Sequence, residues 1–145
     1  MVWVSYLCHM KILAMDYGRK RTGWAETDPL QMIASPLTTV DTTRIWDFLE
    51  RYLAENEVET LVIGKPYRED GGLNEIEEDI LKFIEAFKKK YPSIGVVRED
   101  ERYTSKMAMD VMIRSGMKKK KRREKKNLDK ISASLILESY LNRKK

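Results

Sequence analysis

Lys11-Ile12-Leu13-Ala14-Met15-Asp16 is a short apolar run closed by an acid, and Tyr17-Gly18-Arg19-Lys20-Arg21 behind it is a basic turn. Six residues are too few for a buried helix and suit a buried strand, so the acid stands at a strand end. Thr22–Thr27 (TGWAET) reads as a second strand, and Asp28-Pro29 is a turn signal. Met32–Leu37 (MIASPL) reads as a third strand, with Pro36 suited to a sheet edge because it has no amide hydrogen to donate. The short connections make these three an antiparallel meander.

After the meander the period of the pattern changes. Ile45, Phe48, Leu49, Tyr52 and Leu53 recur at helical spacing behind Asp41 as a cap. Thr60–Ile63 (TLVI) is a buried strand closed by Gly64-Lys65-Pro66, and Asp70-Gly71-Gly72 is a loop. Asn74 with Glu77 three later makes a capping pair for a helix carrying Ile76, Ile80, Phe83, Ile84 and Phe87 on one face. Val96–Glu101 is a further strand. Thr104 caps a short helix with Met107, Ala108, Val111 and Met112 inward, and Gly116 ends it. A final helix from about Asn127 buries Ile131 and Leu135. The order βββ-α-β-α-β-α-α predicts an α/β protein with one mixed sheet and helices on both faces. Residues 1–9 have no place in this order and read as an N-terminal extension, leaving 10–145 as a single domain.

The chain has 145 residues, a formal charge of +5 and 42% apolar residues, enough for one core. One cysteine, Cys8, excludes a disulfide framework and a cysteine zinc site, and one histidine, His9, leaves imidazole catalysis without a partner. No apolar run approaches the ~20 residues of a membrane helix, and a cytoplasmic, membrane-free protein is expected. The charge is concentrated: residues 118–126 hold eight bases and one acid, while the rest of the chain sums to −2. A basic segment on a mildly acidic body suits a polyanion such as nucleic acid, and suits a solvated loop equally well.

Three acids fall where chemistry can collect. Asp16 ends the first strand, Glu101 ends the last, and Asp129 lies in the first turn of the final helix. With the first strand central, all three can converge at one end of the sheet. Clustered carboxylates raise one another's pKa unless a cation joins them, and hard oxygen donors select Mg²⁺ or Mn²⁺. Two such ions ~3.5–4 Å apart hydrolyse phosphodiesters without any histidine. Each acid also has an ordinary reading, as a turn residue or as a helix N-terminal acid, and Asp100 rivals Glu101, since strand alternation lets only one face the site.

The motifs go further. Asp16-Tyr17-Gly18-Arg19-Lys20-Arg21-Thr22-Gly23 resembles the D-x-G-x-K-R-x-G opening of the YqgF family, and Ala34-Ser35-Pro36-Leu37 resembles its A-x-P-L step. Ile63-Gly64-Lys65-Pro66 with Asp70-Gly71 resembles G-x-P…D-G, and Asp100-Glu101-Arg102-Tyr103-Thr104-Ser105 resembles D-E-R-x-[TS]-[TS]. Lys126–Ala133 and Ile136–Leu141 resemble K-x-x-D-x-x-[AS]-A…I-L-x-x-Y-L. Thr22 and Trp24, where aliphatics are usual, and Gly72 depart from the pattern without touching the acids. The resemblance covers residues 11–141 in order. It implies an RNase H-like fold and a metal-dependent nuclease using Mg²⁺ or Mn²⁺, with Asp16, Glu101 and Asp129 as the catalytic and metal-binding set.

The substrate such a family implies is structured RNA, in maturation of the 5′ end of pre-16S rRNA, or alternatively a DNA four-way (Holliday) junction. Arg19, Lys20 and Arg21 beside Asp16, Lys65, Arg102, and Lys119, Lys121, Arg122, Arg123 and Lys126 of the basic segment are the candidate nucleic-acid contacts, with Arg102 equally able to pair with a carboxylate. A monomer or weak dimer is expected. Trp24 and Trp46 read as core, not as base-stacking platforms. Two rival readings exist: actin-like ATPases also open on D-x-G but need a duplicated domain that 145 residues cannot supply, and a non-catalytic nucleic-acid-binding module would use the basic loop alone.

Overall fold

A computed structural model of the chain describes residues 10–66, 75–100 and 125–144. Five strands form one sheet: β1 (Lys11–Asp16), β2 (Arg21–Thr27), β3 (Ala34–Asp41), β4 (Val58–Lys65) and β5 (Gly95–Asp100). The spatial order is β3-β2-β1-β4-β5, with β1 in the middle as the sequence predicts. β1 pairs antiparallel to β2 and parallel to β4, β2 antiparallel to β3, and β4 parallel to β5. A 3-10 turn (Thr42–Arg44) leads into α1 (Ile45–Glu55); α2 is Glu75–Lys90 and α3 is Lys125–Lys144.

Strand alternation divides the core in two. Leu13 and Met15 of β1, Trp24 of β2, and Leu61 and Ile63 of β4 pack under α1 and α2 with Leu49, Tyr52, Ile80, Phe83 and Phe87. Ile12 and Ala14, Ala25 and Val62 face the other way and pack under α3 against Ala133, Ile136, Leu137 and Leu141. Each fully buried Leu or Ile contributes about 1.5–3 kcal/mol, so the apolar stripe of α3 is what holds it on the sheet. Helices therefore cover both faces, and no described helix is long and apolar enough to cross a membrane.

Polar ties lock the layers. Glu26 accepts hydrogen bonds from Tyr52 Oη at 2.6 Å and Lys11 Nζ at 3.1 Å, joining α1 to β1 and β2; burial, reinforced by this carboxylate, drives the Tyr52 phenol far up from its ordinary value. Arg98 on β5 donates to both oxygens of Glu77 on α2, at 2.6 and 3.1 Å, and to the carbonyls of Ile63 and Gly64. Glu77 is thus bound by Arg98; Asn74, the other half of the predicted capping pair, lies outside the described residues.

The other differences are local. β3 starts at Ala34 and continues to Asp41, beyond the predicted Met32–Leu37, because Asp28 holds residues 30–33 in a closed turn by accepting the amides of Leu30, Met32 and Ile33. Pro36 does sit on the edge strand, where the pairing slips by one residue between Trp24 and Ala25. Asp41 makes no side-chain cap, since the 3-10 turn comes between it and α1. α3 begins at Lys125, which moves Asp129 out of the first turn. Leu135 is half-buried, and Ala133, Ile136 and Leu137 fill the seam instead. The helix predicted after Thr104 falls outside the described residues.

Candidate active site

Asp16 has the parity of Ile12 and Ala14, so its carboxylate is on the α3 face at the C-terminal end of the central strand. Its cross-strand partner is Gly23 of β2. A β-carbon on Gly23 would lie 2.1 Å from the carbonyl oxygen of Asp129, 2.4 Å from its carbonyl carbon and 2.9 Å from the amide nitrogen of Lys130. The backbone of α3 therefore rests directly on Gly23, and only a residue without a side chain permits that approach. Paired positions on neighbouring strands have side chains about 4.5–5.5 Å apart. Asp129 is accordingly seated over the position next to Asp16, on the same face.

Arg21 lies two residues before Gly23 and points to the same side. Its Nε donates to Asp129 Oδ2 at 3.2 Å, with about a quarter of each side chain exposed. Arg21 thus fixes the Asp129 carboxylate and offsets its charge.

β4 and β5 extend this face. Ile63 is the partner of Met15, so Gly64 follows at the level of Asp16, and Gly64 pairs with Glu99. Gly64 carries no side chain, which leaves the face open between Asp16 and β5. Glu99 points into that face, 8% exposed, and is held by Arg143 of α3 through Nε at 3.1 Å and Nη2 at 2.9 Å. The pairing, by hydrogen bonding first and charge second, pushes the Arg143 guanidinium pKa further up. Asp100 has the parity of Arg98, which turns toward α2, so it is set on the opposite face from Asp16. Glu101 itself lies outside the described residues.

The basic candidates separate. Arg19, 59% exposed, pairs with Glu75 at 3.2 Å and Asp79 at 4.0 Å on the α2 side. Lys20 is exposed and its carbonyl accepts the Thr42 amide. Lys65 is exposed at the end of β4, opposite Asp100. Arg21 is paired with Asp129 through Nε. Arg102, Lys119, Lys121, Arg122 and Arg123 lie outside the described residues, and so does the side chain of Lys126. Sequence reasoning passed over Glu99 and Arg143; the available signal was strand alternation, which sets Glu99 on the other side of β5 from Arg98 and Asp100.

The donor set of the described part, Asp16 with Asp129, is all oxygen, as a hard divalent cation requires. Among the described residues no group of three potential ligands is assembled. The third predicted acid is the one outside them.

Comparison with known proteins agrees with this architecture. A RuvC of T. thermophilus, in complex with a Holliday junction substrate, superposes with a TM-score of 0.55 at 17% identity, covering 93% of this chain and 96% of that one, and so shares the fold. A protein of Christiangramia forsetii named "Putative pre-16S rRNA nuclease" is 50% identical over 90% of this chain and 97% of its own length. One of the same name from Flavobacterium psychrophilum is 46% identical over 92% and 98%. The RuvX family model, described as Holliday junction resolvase, matches residues 10–143. The chain belongs to the RuvX (YqgF) family and has its RNase H-like fold.

Proposed function

We propose that the protein is a nuclease that hydrolyses phosphodiesters in the 5′-end maturation of pre-16S rRNA, with Asp16, Glu101 and Asp129 as its catalytic, metal-binding set. The observation that carries the reading is the contact of Gly23 with the α3 backbone, which sets Asp129 over the position beside Asp16. Nothing in a simple structural role for these acids requires two carboxylates on one face at a strand end. Mg²⁺ or Mn²⁺ held by Asp16, Glu101 and Asp129 would supply activation of water and stabilisation of the leaving oxygen, in the two-metal manner.

The chain's own residues do the rest. Asp16 is fixed by the central strand and Asp129 by α3 and Arg21, so both carboxylates are pre-oriented, which lowers the entropic cost of assembling the reaction. The basic segment 118–126 precedes Asp129 in the chain and would bind phosphates, giving affinity without sequence preference. Rejection of substrate is then a matter of shape and backbone contact.

The names of the relatives support the RNA substrate. The description of the family model, and the RuvC neighbour of the same fold, support a second reading, resolution of DNA four-way junctions. A pre-16S transcript and a four-way junction, offered separately with Mn²⁺, decide between them by which is cut. On the substrate that is cut, Asp16→Asn, Glu101→Gln and Asp129→Asn should each remove most cleavage and leave the circular dichroism unchanged. Full activity in all three variants refutes the assignment.

A further inference from the structure

Tyr17 immediately follows Asp16, and alternation sends it to the opposite face of the same strand end. There it borders an open cavity of about 330 Å³ between α1 and α2. Ile45 and Phe83, 3% and 7% exposed, form the floor. Tyr17 and Trp46, both half-buried, form the walls: the Trp46 ring is 5.0 Å from Phe83 and the Tyr17 ring 6.5 Å from it. Asp79 and Lys82 of α2 lie at the rim. The volume is at the lower bound of the about 300–1,000 Å³ found for small-molecule sites.

The chemistry of the rim limits the occupant. A phosphate site would not carry Asp79, whereas the edge of a nucleobase presents both donors and acceptors and suits an acid beside a lysine. Aromatic walls suit the flat face of a base, which stacks whatever its sequence. Lys90 already sits over the Trp46 ring at 5.4 Å, so that ring face attracts cations and is reachable from solvent. Arg19, from the turn that Tyr17 begins, stands 4.0 Å from Asp79 with more than half its surface exposed, next to where the backbone of a strand entering the cavity would pass.

We infer that the Tyr17–Trp46 cleft receives one unpaired nucleobase of the nucleic acid whose backbone crosses the Asp16 end of the sheet. The inference rests on the nuclease reading and adds to it a reason for preferring substrates with an unpaired nucleotide beside the cut. Trp46 packs against the core at Phe83, in keeping with its reading as core, and also lines the cavity. Trp24, fully buried, stays core.

The test uses the full chain in the presence of a chelator, with two probes: a twelve-nucleotide oligoriboadenylate and an abasic ribose-phosphate chain of the same length. Stacking of one base predicts about ten-fold tighter binding of the first probe. With Trp3→Phe in the background, so that the buried Trp24 is the only other indole, Trp46 emission should be quenched by the adenylate and not by the abasic chain. Trp46→Leu and Tyr17→Leu, which keep an apolar side chain against Phe83, should each abolish most of the discrimination and leave abasic binding unchanged. Equal affinity of the parent protein for both probes, or discrimination that survives in both variants, overturns the inference and leaves the nuclease reading standing. Binding of neither probe also overturns the inference, and the nuclease reading is decided separately by the Mn²⁺ cleavage of the structured substrates.

Discussion

Gly23→Ala is the most local perturbation of the proposed site, because the new methyl group meets backbone and not a movable side chain. Its β-carbon would be 2.1 Å from the Asp129 carbonyl oxygen, and ordinary contact begins near 3.4 Å, so the start of α3 must retreat by about 1.3 Å or β2 must bend by as much. Either movement separates Asp129 from Asp16 and stretches the 3.2 Å bond from Arg21. Overpacking of this kind costs about 1–3 kcal/mol of stability, and a displacement of about 1 Å between reacting groups costs on the order of 100-fold in rate. The assay is Mn²⁺-dependent cleavage with urea unfolding beside it. Gly95→Ala is the control: its β-carbon would meet only Glu59 and Thr60 atoms at 3.9 Å, so stability and turnover should hold or stability rise slightly. Cleavage by Gly23→Ala at the parent rate would refute the reasoning, since it would mean that the spacing between Asp16 and Asp129 does not set the chemistry.

Arg98→Ala should destabilise the fold by about 3–5 kcal/mol in urea, because it strands the largely buried Glu77 without its partner; Arg98→Met with Glu77→Leu should recover most of the loss. Changing Lys119, Lys121, Arg122 and Arg123 together to Ala should lower the slope of log affinity against log salt by up to ~0.9 per lost phosphate contact on duplex, with turnover at saturating substrate and metal affinity little altered; an unchanged slope makes the segment a solvated loop. Asp28→Ala should cost less than about 1 kcal/mol, the scale of an exposed cap. The Asp28 carboxyl is held below its ordinary value, chiefly by the Ile33 amide, so its contribution is complete above about pH 4 and is lost as the pH falls through the lowered folded-state value. The parent and Asp28→Ala should therefore converge in acid unfolding, and a difference that grows below pH 4 refutes the account.

What the sequence made legible follows from how local each signal is. The apolar run Lys11–Asp16 and the helical spacing of Ile80, Phe83 and Phe87 depend on neighbours within one element, and the strand and helix they predict are present. What the sequence does not show comes from turns and from partners brought in by the fold, such as the Asp28 turn that delays β3 to Ala34. Glu77 has the position of a capping partner, and Arg98, which is far along the chain, binds both of its oxygens as well. Asp41 stands where a cap belongs, but β3 keeps it as a strand residue. Arg21 reads as a phosphate contact inside a basic turn, and its partner Asp129 is 108 residues away. No periodicity could announce that pair. Gly23 is the intermediate case: a glycine in a strand signals close approach of something, but only the fold says that α3 is what approaches.

The division of the two faces at the end of β1 gives the site its logic. Asp16 and Tyr17 are consecutive, so the chain turns one to α3 and the other to α2 without any further device. The α3 face gathers carboxylates, and both acids whose contacts are described there, Asp129 and Glu99, are bound by arginines of the same face, Arg21 and Arg143. The other face gathers aromatic rings. Charge repulsion among the acids is thereby eased on one side of the sheet, while the apolar cleft on the other side is kept away from them by the thickness of the strand. A cation drawn to the first face and a base stacked in the second would not compete for the same groups, so the two proposed sites can be occupied together across a single strand end.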